Sequence, residues 1–117
     1  MNLILDDIRN ERMCFEATNN TIYLLKEWVI VRSYDEFCKF ITENPLPELI
    51  SFDHDLADYD ETGQERTGKE CLQFLIDFVM DNNLKMPNVL VHSSNTPGRI
   101  RIKSLYDNFI KFCQSKN

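Results

Sequence analysis

The sequence predicts a three-layer α/β domain around a mainly parallel four-stranded sheet in the order 2-1-3-4. Three observations lead there: short apolar runs alternate with helical patterns along the chain, acidic residues follow the first and third of these runs, and the chain has 117 residues. Strands that alternate with helices form parallel sheets with helical crossovers. A chain of this length makes one domain, which we assign to residues 1–117.

Four apolar runs have the length and composition of strands. They are rich in Val, Ile, Leu and aromatic residues, and each is too short for a helix. Near-continuous apolar character indicates strands that are buried on both faces. The predicted strands are Leu3–Leu5, Trp28–Val31, Leu49–Phe52 and Val89–Val91.

Three helices are predicted between and after these strands. The first two begin with a capping box, Ser33 with Glu36 and Thr67 with Glu70. Apolar residues then recur at helical spacing in all three. The helices cover Tyr34–Glu43, the segment from Thr67 to about Asp81, and about Arg99 to Cys113.

The segment between the first two strands shows no clear helical period. Met13–Ala17 and Thr21–Leu25 flank the turn-forming residues Thr18-Asn19-Asn20. This pattern is compatible with a β-hairpin and equally with an irregular loop. The sequence leaves both possibilities open.

Composition limits the class of protein. Thirteen Lys and Arg oppose nineteen Asp and Glu, and a net charge of −6 argues against a protein that coats nucleic acid. The four cysteines form no C-x-x-C pair, so we expect free thiols in a reducing compartment and no structural zinc. No apolar stretch approaches the ~20 residues of a membrane-spanning helix, and no signal peptide is evident. We therefore expect a cytoplasmic protein; its oligomeric state stays open.

Polar clusters follow three of the four strands. The clusters are Asp6-Asp7-Ile8-Arg9, Asp53-His54-Asp55 and His92-Ser93-Ser94-Asn95, the last continuing to Gly98 and Arg99. Ligands bind open parallel sheets in the crevice outside the carboxyl ends of the strands. If the first strand lies beside the third, the acidic clusters share that crevice, and this juxtaposition underlies the predicted strand order.

Four acidic residues in these clusters form a candidate metal site. Closely spaced carboxylates repel one another unless a cation compensates them. Carboxylate oxygens suit Mg²⁺ or Mn²⁺, and a histidine ligand would favour Mn²⁺ or Zn²⁺. The alternatives are a turn-capping role for Asp7 and solvation of the others. The candidate metal ligands are Asp6, Asp7, Asp53 and Asp55.

The remaining polar residues suit phosphate chemistry. Hydroxyl, amide and backbone N–H groups of Ser94, Asn95 and Gly98 could contact a phosphate, and Arg9 and Arg99 could clamp its oxygens. An ordinary turn and surface charges are the alternatives for these residues.

Two histidines are candidates for proton transfer. The unperturbed pKa of histidine, ~6.5, suits general acid–base catalysis, and His92 is the first candidate. His54 is the second, with orientation of Asp53 or a core hydrogen bond as its alternatives. The candidate catalytic residues are His92, Asp53 and His54.

The order of these motifs resembles a response-regulator receiver domain. An acid pair follows the first strand, an aspartate the third and a serine the fourth. Receivers, however, have an amphipathic helix after the acid pair and a fifth strand that ends in lysine. Neither is evident here, where Lys103 lies inside the last predicted helix. Phosphotransfer signalling is therefore not favoured.

The chain is more similar to a family of receiver-like domains from bacteria and phages that process cyclic phosphates. The similarity rests on Leu5–Arg9, Trp28–Glu36, Ser51–Leu56, Thr62-Gly63 or Thr67-Gly68, and His92–Gly98. It implies a metal-dependent phosphoesterase that acts on a 2′,3′-cyclic phosphate RNA end or a cyclic nucleotide. The alternative is a non-catalytic module that binds or sequesters a phosphorylated nucleotide or docks a protein partner.

Overall fold

The computed structural model describes residues 1–115; the last two residues of the predicted 1–117 domain lie outside this range. Strands and helices alternate along most of the chain. The strands are β1 (Asn2–Leu5), β2 (Trp28–Val31), β3 (Leu49–Phe52) and β4 (Asn88–Val91). The helices are α1 (Glu11–Thr18), α2 (Ile22–Leu25), α3 (Tyr34–Glu43), α4 (Gly68–Asp81) and α5 (Thr96–Ser115).

The four strands form one parallel sheet in the order β2-β1-β3-β4. The last residues of β1, β3 and β4 lie side by side: Leu5 is opposite Phe52, and Phe52 is opposite Val91. The predicted fold class and strand order are confirmed. The carboxyl ends of the three strands therefore meet at one level of the sheet.

Alternation along the strands sends side chains to two different cores. Leu5 and Phe52 pack with α3, α4 and α5 in a large apolar core, which we call the broad face of the sheet. Ile4 points the other way and packs with Cys14 of α1 and Tyr23 of α2, on what we call the narrow face. Helices on both faces give the three layers.

All three predicted helices are present, and only the last one differs at both ends, since it runs to Ser115 and not to Cys113. Ser33 and Thr67 cap α3 and α4 through their hydroxyl groups, and the Thr67 hydroxyl also donates to Glu70. The last helix begins at Thr96, three residues before the predicted Arg99. Its first turn contains Pro97, whose fixed φ and missing N–H are tolerated at that position.

The segment between β1 and β2 contains the two helices α1 and α2, so neither of the two possibilities left open by the sequence, a β-hairpin or an irregular loop, is found there. Asn10 caps α1 by accepting from the Met13 N–H, and Asn19 ends the helix in the left-handed conformation at φ 58°. A helix does follow the acid pair, contrary to the departure from receivers inferred from sequence. Because Cys14 is the only buried residue of α1, the helix leaves almost no apolar period in the sequence.

A long loop between β3 and α4 is fixed to α3 by one arginine. The Arg66 guanidinium contacts Asp58 at 2.8 Å and Asp35 at 3.1 Å, and lies 4.8 Å from the centre of the Tyr34 ring. The two carboxylates raise the pKa of Arg66. This anchor holds the loop that carries His54 and Asp55. Among residues 1–115, no helix combines the length and apolar character needed to cross a membrane.

Candidate functional site

Three polar residues extend the sheet by one step beyond its strands. The N–H of Asp6 donates to Val31, that of Asp53 to Leu5, and that of His92 to Phe52, at 2.9–3.1 Å. Because Leu5, Phe52 and Val91 face the broad face, the next residue of each strand faces the narrow one. Asp6, Asp53 and His92 are thus brought together by strand register.

The Asp6 carboxylate is buried and held by three donors. Its Oδ1 accepts from the backbone N–H groups of Ile8 and Arg9, both at 2.8 Å, and its Oδ2 lies 2.8 Å from His92 Nε2. Burial alone would raise the pKa of Asp6, but these hydrogen bonds outweigh it and lower the pKa from 3.8 to about 2. Asp6 is therefore ionised at neutral pH.

A buried chain of hydrogen bonds, which we call the relay, continues from Asp6 into the narrow face. His92 Nδ1 lies 2.7 Å from Ser51 Oγ, and Ser51 Oγ lies 2.6 Å from the Tyr23 hydroxyl. Burial raises the pKa of Tyr23 to about 12, so this hydroxyl keeps its proton. Ionised Asp6 can only accept, so His92 donates to it from Nε2–H. With a neutral imidazole, Nδ1 then accepts from Ser51, and Ser51 accepts from Tyr23. Each bond has one proton.

The His92 ring has no exposed surface and both its nitrogens are bonded within the protein. A general acid must reach the atom that it protonates. The expected direct proton transfer by His92 therefore does not fit its position. Its contacts are those of a residue that orients Asp6.

Three carboxylates form the acid cluster of the site: Asp6, Asp7 and Asp53. One oxygen from each lies within 4.8 Å of the other two. Burial and the charge of Asp6 raise the pKa of both Asp7 and Asp53. Ser93 hydrogen-bonds the Asp53 carboxylate and partly offsets this effect. The cluster is a set of hard oxygen ligands whose mutual repulsion a divalent cation would relieve, and its composition fits Mg²⁺ or Mn²⁺.

Asp55 is not part of this cluster, contrary to the sequence prediction. The prediction extended strand alternation past Phe52, where β3 ends. The exposed Asp55 carboxylate instead lies 2.9 Å from His54 Nδ1 and accepts from Asn95 Nδ2 at 3.0 Å. These bonds lower the pKa of Asp55.

Asn95 and Gly98, two of the predicted phosphate-binding residues, make contacts within the protein. Asn95 Oδ1 accepts from the Gly98 N–H at 3.0 Å and caps the first turn of α5. Gly98 lies against the His54 ring, where an added Cβ would come within 2.3 Å of the imidazole. Both groups expected to donate to phosphate are thus engaged between two loops.

Arg9 connects the first and last polar clusters. Its guanidinium donates to the carbonyl of His92 at 3.0 Å and to Ser94 Oγ at 2.9 Å. Arg32 in turn donates to the Arg9 carbonyl at 2.7 Å and, at 3.3 Å, to that of Asp6. Arg99 donates to the Ser93 carbonyl at 3.3 Å. Two guanidinium groups therefore lie beside the residues that follow β4.

A second set of ligand atoms belongs to Asp6, Cys14 and His92, again within 4.8 Å. Two of its three ligand atoms already form a hydrogen bond with each other, Asp6 Oδ2 and His92 Nε2. Burial and the charge of Asp6 raise the pKa of Cys14 to about 12, so the thiol stays protonated. A thiol ligand must lose its proton. This set does not favour a metal.

An acid pair follows β1, an aspartate follows β3 and a serine pair follows β4. The family model described as "Cyclic-phosphate processing Receiver domain" matches residues 1–108. The chain belongs to this family. Searches of curated proteins and of solved structures found no match. Membership agrees with the parallel receiver-like sheet and with an acid cluster at its carboxyl edge.

Sequence reasoning missed three residues of this region: Tyr23, Arg32 and Ser51. Arg32 could have been found, because it directly follows β2 at the same edge of the sheet. Tyr23 and Ser51 gave no signal, since one lies in a four-residue helix and the other in an apolar strand. Their contact spans 28 positions. Only the folded chain shows it.

Proposed function

We propose that this protein is a divalent-cation-dependent phosphoesterase that opens a cyclic phosphate, either a 2′,3′-cyclic phosphate at an RNA end or a cyclic nucleotide. The observation that carries the proposal is the acid cluster, whose three carboxylates meet at the carboxyl edge of the sheet. The family name supports a cyclic phosphate as the substrate. The guanidinium groups of Arg9 and Arg99, beside the residues that follow β4, supply the positive charge that a phosphorylated ligand requires.

Asp6, Asp7 and Asp53 are the residues that would hold the cation. A bound Mg²⁺ or Mn²⁺ supplies positive charge at the phosphate oxygens and lowers the pKa of water. Within the protein, His92 holds Asp6 in one orientation, and the relay fixes the proton on His92 Nε2. A partner that orients a ligand in this way typically changes metal affinity about 10–100-fold when it is removed.

His54 is the better candidate for giving the leaving oxygen its proton. Its Nδ1 lies 2.9 Å from Asp55, whereas Nε2 has no hydrogen bond among residues 1–115, and 8% of the side chain is exposed. A carboxylate behind one nitrogen and a free second nitrogen is the arrangement of a histidine that transfers protons. His54 also directly follows Asp53. We assign it this role within the proposal.

Metal titration and turnover test the proposal together. At 100 times its Kd, Mg²⁺ stabilises the wild type by about 2.7 kcal/mol, and the protein hydrolyses adenosine 2′,3′-cyclic phosphate. Asp53→Asn abolishes both effects. Without metal this variant melts higher than the wild type, because the substitution removes the repulsion that raises the pKa of Asp53. Asp77→Asn, which changes an exposed acid on α4, behaves as the wild type.

A metal response equal in wild type and Asp53→Asn would refute the assigned ligands. A metal response without turnover of any cyclic phosphate would favour a non-catalytic phosphate-binding module. The complete burial of the His92 ring is the observation that favours this second candidate, because it removes the expected proton donor. Tight binding of adenosine 2′,3′-cyclic phosphate with no hydrolysis over hours is the result that it predicts.

A further inference from the structure

A pocket of about 680 Å³ lies beside the end of β4, between the last turn of α1 and the first turns of α5. Three basic side chains line it, Arg9, Arg99 and Lys103, together with the hydroxyl residues Thr18 and Ser94. Among residues 1–115, no acidic residue lines it. On a chain with net charge −6, a pocket lined only by cations and neutral groups is a marked local reversal of charge.

The three cations have no acidic partner. None of Arg9, Arg99 and Lys103 forms a salt bridge with a carboxylate of the described residues. Arg99 and Lys103 are four residues apart in α5, and like charges at this spacing destabilise a helix. A bound anion would compensate all three charges.

The two guanidinium groups retain donors for such an anion. Arg9 uses two of its N–H groups, for the His92 carbonyl and Ser94, and Arg99 uses one, for the Ser93 carbonyl. A guanidinium has five N–H donors in a rigid fork that matches phosphate oxygens. The intramolecular bonds fix the two groups while leaving most of their donors unused. A fixed pair of donors costs little conformational entropy when it binds a ligand.

The pocket and the acid cluster are separate in their lining but linked by three residues, Arg9, His92 and Ser93, which line the pocket and hydrogen-bond Asp6 or Asp53. Asp6, Asp7 and Asp53 do not line the pocket. Ser93 connects the two, since it hydrogen-bonds the Asp53 carboxylate and its carbonyl accepts from Arg99. A phosphate that reacts at the acid cluster therefore leaves the pocket available for another group of the same ligand.

We propose that this pocket is a second anion subsite, which binds a non-reacting phosphate of the ligand. The ligand is then a nucleotide with at least two phosphate groups, and a simple cyclic mononucleotide leaves the pocket unfilled. This inference rests on the proposed function for the position of the reacting phosphate. The second phosphate is either an internucleotide phosphate next to the cyclic end or a 5′-phosphate on the same nucleoside.

Binding of three probes tests the subsite: adenosine 2′,3′-cyclic phosphate, the same nucleotide with a 5′-phosphate, and a dinucleotide that ends in a 2′,3′-cyclic phosphate. Dissociation constants are measured by calorimetry in EDTA and again in Mg²⁺. We expect at least one two-phosphate probe to bind about tenfold tighter than the mononucleotide, which corresponds to one charge-assisted contact. The probe that gains more affinity identifies the source of the second phosphate.

Lys103→Gln should remove most of this gain, and Lys111→Gln, an exposed change on the same helix, should preserve it. Equal affinities for all three probes under both conditions would overturn the subsite, even if the mononucleotide is hydrolysed. A preference for two phosphates that Lys103→Gln and Lys111→Gln affect equally would also overturn it. A Lys103-dependent preference without hydrolysis would support the subsite while contradicting the proposed enzyme.

Discussion

The two faces of the sheet are built from the same strands but stabilised by different forces. In β3, Phe52 packs into the broad face, whereas its neighbour Ser51 points into the narrow face and joins the relay. The broad face is an apolar core of three helices, with Leu72, Leu75 and Phe37 fully buried. The narrow face has two short helices and a buried chain from Tyr23 to Asp6.

The two faces contribute differently to the stability of the fold and to the position of the Asp6 carboxylate. Apolar burial is non-directional and scales with area, so the broad face contributes most of the free energy of folding. Hydrogen bonds add less net stability but fix orientation. The narrow face therefore determines where the Asp6 carboxylate lies. Substitutions on the two faces should differ in what they change.

The largest expected loss of stability comes from the broad face. Leu75→Ala removes a fully buried side chain of α4 and should lower the free energy of unfolding by about 2–5 kcal/mol. Leu25→Ala, at a position that is 80% exposed, should change it by less than ~0.5 kcal/mol. Urea denaturation measures both variants. Equal losses would contradict the assignment of the core to the broad face.

The next largest expected effect is a loss of stability in acid, where Asp6 becomes protonated. Because folding lowers the pKa of Asp6 from 3.8 to about 2, its stabilisation is fully present above pH 3.8 and is lost as the pH falls through 2. The difference corresponds to about 2 kcal/mol. Folding raises the pKa of Asp7 and Asp53, so their effect on stability has the opposite pH dependence: protonation of these two groups favours the folded state. Carboxyl carbon NMR titration would measure the three groups, and an Asp6 midpoint at or above 3.8 would contradict the relay.

The smallest loss of stability is expected at Tyr23, the end of the relay that is farthest from Asp6. Tyr23→Phe keeps the ring packed on Trp28 at 5.3 Å but removes the donor to Ser51, which should cost about 1 kcal/mol. Tyr59→Phe, on a side chain that is 60% exposed, is the matched control. Mg²⁺ affinity should fall in Tyr23→Phe and stay unchanged in Leu75→Ala. If Leu75→Ala weakens Mg²⁺ binding as much as Tyr23→Phe does, the two faces do not divide these roles.

The broad face could be predicted from sequence, and the narrow face largely could not. Capping boxes at Ser33 and Thr67 and long apolar periods identify α3 and α4, because a helix that packs on a large core repeats its apolar residues many times. Helix α1 has eight residues with one buried side chain, and α2 has four residues. Helices this short are stabilised by tertiary contacts, which no local pattern records.

Three of the four predicted metal ligands lie in the acid cluster, and the fourth does not. Asp6, Asp7 and Asp53 follow directly from the ends of parallel strands, where register alone brings them together. Asp55 lies beyond the end of β3, where the chain direction depends on contacts with Asn95 and Gly98 from another loop. The role of His92 could not be inferred either, since its burial depends on Tyr23, 69 positions earlier in the chain.

The absence of a side chain at Gly98 allows the loops after β3 and β4 to lie in close contact. The Gly98 backbone lies against the His54 ring, and Asn95 connects the same turn of α5 to Asp55. The loops after β3 and β4 are therefore held together by direct packing as well as by a hydrogen bond. A side chain at position 98 would have to push the His54 ring away from α5.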